Sequence, residues 1–190
     1  MCPTVYAMGF DISEAELISP REFLNRGVIH FDQPKEFLWA VVEDLGSANQ
    51  WMLKNLDTPD GWKYPAYLKN ITYFPEFEVV ELYYGLKLMG FIDSGEMAAA
   101  FNVEKRVTSQ KMQLTLTLSH PYPVVENAVY HIELEDNQEG GTMVTFEITT
   151  KLPPLVYFFF PKKIYNDNIQ YILGNLVVNF QERSQMPLNP

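Results

Sequence analysis

The chain has 190 residues and a mass of 22.0 kDa, the size of one domain. Apolar residues make up 47% and charged residues 20%, enough for a packed core and against a disordered chain. With 14 Lys and Arg against 24 Asp and Glu, a net charge of −10 and a pI near 4.7, it repels a phosphate backbone, so nucleic acid is not an expected partner.

The single cysteine, Cys2, excludes an intramolecular disulfide and suits a reducing compartment. The first basic residue, Arg21, follows Asp11, Glu14 and Glu16, so neither a secretory leader nor a transit peptide is read there. The longest apolar stretch, Leu152 to Pro161, contains prolines and is too short to cross a bilayer. The expected location is cytoplasmic.

Residues 1–20 mix polarities up to Ser19-Pro20 and read as a loosely packed arm. From Arg21 to Phe31 the pattern suits a strand, with Phe23, Ile29 and Phe31 on one parity. Asp32-Gln33-Pro34 reads as a helix start, Asp32 capping and Pro34 in the first turn. Phe37, Leu38, Val41, Val42 and Leu45 follow at helical spacing; Gly46 ends that helix, and Ser47 to Leu53 reads as a second, short one. Asp57, Pro59, Asp60, Gly61 and Pro65 are turn formers.

A long run of strands comes next. Val80, Leu82, Tyr84, Leu86 and Leu88 alternate, as do Phe101, Val103 and Val107. Met112, Leu114, Leu116 and Leu118 do the same, with Gln113, Thr115, Thr117 and Ser119 opposite. Ala128, Tyr130, Ile132 and Leu134 face Val144, Phe146 and Ile148 across the turn Asp136–Gly141, a hairpin. Antiparallel strands of this kind have one face that must be covered. The closing segment, Lys162 to Arg183, repeats Tyr165, Ile169, Ile172, Leu176 and Phe180 every three or four residues and is predicted to be the covering helix.

This order of elements resembles the START-like, or Bet v 1-like, helix-grip superfamily: an α+β fold of a curved antiparallel sheet, two short helices and a long C-terminal helix. Pro34 to Leu45 followed by Trp51-Met52 is similar to its opening helix pair. Glu133 to Asp136 with Gly140-Gly141-Thr142 is similar to its penultimate hairpin, and Asn168 to Phe180 to its closing helix. The likeness spans residues 21–184, leaving 1–20 as an arm and 185–190 as a tail. An aromatic insertion at 62–77 (Trp62, Tyr64, Tyr67, Tyr73, Phe74, Phe77) departs from the pattern and reads as extra core, a dimer surface or a gate.

The resemblance implies a cavity between helix and sheet that holds an apolar small molecule or lipid. Its lining is expected from the inward strand parities: Tyr84, Phe101, Val103, Leu114, Leu116, Leu118, Tyr130 and Phe146. From the helix it takes Tyr165, Ile169 and Ile172, with Trp51 near one end. The same superfamily includes polyketide cyclases and aromatases, so an enzyme folding a flexible chain by positioning is the alternative. A partner-regulating module without chemistry is the third.

Lys105 shares the parity of Phe101 and Val103. It is read either as an anchor for a ligand's carboxylate or oxygen head or as an amine that snorkels to water. His30 and His131 fall on outward parity, and His120 at a strand end is a candidate donor. No residues show metal-ligand spacing and no nucleotide fingerprint occurs, so no metal or cofactor is expected. The run Tyr157, Phe158, Phe159, Phe160 beside Lys162 and Lys163 reads either as a buried corner or as a lid or patch that docks on a membrane.

Overall fold

Strands that alternate apolar and polar side chains pair antiparallel, and the sheet that results must have one covered face. The computed structural model describes residues 10–54, 56, 66–88, 92–137 and 140–186. Residues 1–9, the turn at 57–65 with Trp62 and Tyr64, and residues 187–190 of the expected tail lie outside them.

In chain order the elements are β1 (Phe10–Ile12), β2 (Glu16–Ser19), β3 (Glu22–Phe31), α1 (Lys35–Glu43) and α2 (Ala48–Trp51). Then come β4 (Ala66–Phe74), β5 (Val79–Leu88), β6 (Ile92–Asp93), β7 (Met97–Val107) and β8 (Lys111–Leu118). β9 (Asn127–Asp136), β10 (Thr142–Lys151), α3 (Pro154–Phe159) and α4 (Lys162–Ser184) complete the chain. The strands form one antiparallel sheet in the order β1-β3-β10-β9-β8-β7-β5-β4, with β2 added on β3 and β6 on β5. In register, Tyr130 lies between Leu116 and Ile148, and Ile132 between Leu114 and Phe146. The inward parities expected from the sequence therefore converge on one face.

The sheet curls where a cross-strand aromatic ring lies flat over a glycine. A Cβ on Gly27 would sit 2.1 Å from the ring of its partner Phe146, and one on Gly85 would sit 2.3 Å from that of Tyr67. Only glycine admits that approach.

Several expectations change. Residues 10–19, expected as a loose arm, carry β1 and β2 paired to β3, and Ala15 is buried. Asp32 does not cap α1; the extended Pro34 is its N-cap and no side chain serves there. The Pro34 carbonyl instead accepts from the amides of Phe37 and Leu38. The described part of the aromatic insertion forms β4, an extra edge strand. Its Tyr67 is buried while Phe77 beyond it is exposed.

Helix α4 spans from one edge of the sheet to the other, held by polar side chains. Asn166 Oδ1 accepts from Ala15 N (2.8 Å), and Gln170 Nε2 donates to Ser13 O (2.7 Å), on the β1–β2 side. Buried Asn168 accepts from Ala66 N (3.0 Å), the first residue of β4. Asn179 donates to Met52 O (3.0 Å) and Lys54 O (2.9 Å) just after α2. Phe23 stacks on Tyr165 at 4.1 Å near the start of α4, and Phe180 meets Phe31 edge-on at 5.2 Å near its end. α1 covers the far ends of β8 and β9. Its buried Lys35 bridges two turns, donating to Asp136 Oδ2 (2.5 Å) and Ser109 O (2.9 Å).

Candidate functional site

Between the middle of α4 and the concave face of the sheet lies a cavity of about 350 Å³. Its roof is the helix stripe Tyr165, Ile169, Ile172, Leu173, Leu176, Val177 and Phe180. Its floor comes from β3, β4, β5, β7, β8, β9 and β10, mostly by alternate residues of each strand. Trp51 and Met52 close the end nearer Phe180, and Val124, Val156 and Phe160 the end nearer Tyr165.

Of the residues singled out from sequence, the wall includes Trp51, Tyr84, Phe101, Leu114, Leu116, Tyr130, Phe146, Tyr165, Ile169 and Ile172. Three lie elsewhere. Val103 is buried in the main core beneath α1, which fills that end of the sheet solidly. Leu118 packs beyond the cavity against Ala99, Phe101 and Ala128. Lys105 is exposed, because β7 outruns its cover. Its Nζ donates to Glu43 O (3.1 Å) at the C-terminal end of α1, which holds no cation of its own, and lies 5.8 Å from the Tyr73 ring centroid. The carboxylate-anchor role is thereby withdrawn from Lys105.

His120 is also outside, stacked on Tyr122 at 4.4 Å; His131 borders the cavity between Tyr130 and Ile132, with its ring bonded to Thr115 Oγ1 (2.9 Å). Among the described residues no group of His, Cys, Asp or Glu converges as a metal site.

The wall also holds Ile29, Ile132, Val144 and Ile148, which share the inward parity of their strands. Asn168 was missed because a polar residue beside an apolar stripe was not read as buried.

Four tyrosines, Tyr67, Tyr84, Tyr130 and Tyr165, bring phenols to this lining. Tyr165 donates to Asn25 Oδ1 (3.3 Å). The Tyr84 hydroxyl and Trp51 Nε1 are buried without a partner. Burial pushes the Tyr130 phenol up to about 12 and raises those of Tyr84 and Tyr165 as well. All three stay protonated at neutral pH.

Helix α3 splits the aromatic run between two environments. Val156 and Phe160 line the cavity and Tyr157 packs near Phe23, 6.0 Å between centroids. Phe158 is 77% and Leu155 72% exposed, with Phe159 beside Phe158 and the exposed Lys162 and Lys163 following. The run is a buried corner on one side and an apolar surface on the other. No helix among the described residues is long and apolar enough to cross a membrane.

No family model matches the chain, and no curated relative does. Solved structures do. A STAR-related lipid transfer protein fragment from Xanthomonas axonopodis superposes with a TM-score of 0.61 at 11% identity, over 96% of this chain and 97% of that one. Human STARD10 gives 0.58 at 12%, over 96% of this chain and 71% of that one. The di-domain aromatase/cyclase BexL gives 0.58 at 7%, over 90% and 53%. The chain has the START/Bet v 1-like helix-grip fold.

Proposed function

We propose that this protein binds one apolar small molecule or lipid between α4 and the sheet and carries or senses it. The observation that supports this is the hollow itself, a preformed concave space with an apolar lining. The ligand contacts would be the wall residues Trp51, Tyr84, Phe101, Leu114, Leu116, Tyr130, Phe146, Tyr165, Ile169 and Ile172. The likeness to a lipid transfer protein agrees with it. A cyclase reading has the likeness to BexL and the tyrosines of the wall in its favour, while the other candidate donors, His120 and Lys105, lie outside the cavity. A collapsed interior would have favoured a pure interaction module.

Native mass spectrometry of protein from its own host tests the reading. The expected result is one bound small molecule, released by organic solvent, with Nile red binding to the emptied protein. Protein that carries nothing and ignores Nile red overturns it. Lys105→Ala is expected to bind Nile red as the wild type does.

Ligand passage is assigned to α3, whose inner side chains close the cavity and whose outer ones suit a lipid surface. The contact made there is with an anionic membrane. Leu155, Phe158 and Phe159 supply apolar area and Lys162 and Lys163 local positive charge on an otherwise acidic protein. Wild type is expected to co-sediment with vesicles containing phosphatidylserine and to be released by salt. Phe158→Glu should weaken that binding about tenfold or more, since it loses a buried ring and adds repulsion. Equal sedimentation of the two proteins refutes the docking surface.

A further inference from the structure

We propose that the tyrosine end of the cavity selects an uncharged ligand bearing a carbonyl-type oxygen, held by the hydroxyls of Tyr84 and Tyr130. The inference rests on the cavity being a ligand site and says which ligands it takes.

Tyr84 on β5 and Tyr130 on β9 both line the cavity and gather around Phe101, whose ring stacks on Tyr130 at 5.1 Å. The two phenols are close enough for each other's charge to be felt. The Tyr84 hydroxyl is fully buried and has no partner in the protein. For Tyr130, burial is what raises the phenol. A buried hydroxyl without a partner destabilises a fold, so Tyr84, with the Tyr130 phenol near it, marks a place where something else completes the bond.

Because burial raises both phenols, they offer protons at neutral pH and ask for an acceptor. Among the described residues no lysine or arginine lines the wall, and His131, which borders it, has its ring bonded to Thr115. Asp44, which does, is exposed and bonded to Ser47. A carboxylate or phosphate carried inside would have no countercharge, and its desolvation would go uncompensated. A ketone or ester oxygen loses little on entering and gains up to two hydrogen bonds.

Competition against Nile red tests this with three probes of one shape: acetylnaphthalene, ethylnaphthalene and naphthoate. The comparison is between wild type and Tyr84→Phe/Tyr130→Phe, with Nile red affinity measured directly for each. In the wild type, naphthoate should bind at least about tenfold more weakly than the ketone. In the double variant, the ketone-to-hydrocarbon preference should fall about five- to tenfold while ethylnaphthalene stays within about twofold. Tyr84→Phe alone should raise the Tm of the empty protein by about 2–4 °C, a gain that a structural hydrogen bond would not allow. An unchanged preference, naphthoate binding as tightly as the ketone, or a lowered Tm in Tyr84→Phe overturns the proposal. Failure of Nile red to bind the wild type instead overturns the cavity reading on which it rests.

Discussion

Leu116→Trp/Ile172→Trp is expected to lose Nile red binding by about tenfold to a hundredfold while its thermal stability holds or rises. Leu116 stands on the floor and Ile172 on the roof of the cavity, and both are half-buried because they face unfilled space. An indole at each position occupies the volume a ligand needs, and displacing overpacked rings costs ~1–3 kcal/mol, which is that loss of affinity. The same rings recover contacts that the empty protein lacks, since a dry void is unfavourable by ~24 cal/mol per Å³. Fluorescence titration with a parallel thermal melt checks both. Full binding in a stable double variant would mean that the dye sits elsewhere.

Phe23→Ala should cost about 3–5 kcal/mol, a large share of the 5–15 kcal/mol that holds a domain together. Phe23 is wholly buried, and its ring stacks on Tyr165 at 4.1 Å and 12°. That stack fixes the start of α4 over the sheet, beside the Ala15, Leu152 and Phe160 cluster. Truncation leaves a void that the rigid sheet cannot close. The matched control is Phe77→Ala, where a 72% exposed ring should change stability by no more than about 0.5 kcal/mol. Urea denaturation of both variants reads the difference, and a Phe23→Ala loss as small as the control's would remove this contact as the fixed end of the helix.

Much of the architecture was legible because strand parity and helical spacing are local properties. The alternation from Met112 to Leu118 and the repeat from Tyr165 to Phe180 each named a face, and those faces meet across the cavity. What was misplaced depended on where each strand lies beneath its cover. Val103, Lys105 and Leu118 have the right parity, yet α1 covers one stretch of the sheet, β7 runs out past its roof, and a satellite core claims the far end. Parity tells which face a side chain takes and says nothing of how far along the strand the hollow extends.

Residue order alone determined the antiparallel sheet, the helix pair and the long closing helix, since hydrophobic period follows from backbone geometry. Tertiary structure alone decided that Asn166, Asn168, Gln170 and Asn179 lash that helix to both sheet edges, that α3 divides its rings between interior and surface, and that the Tyr84 phenol inside lacks a partner among the described residues. Those outcomes depend on which backbone groups distant segments leave unpaired at their meeting points, a long-range property that no local pattern encodes.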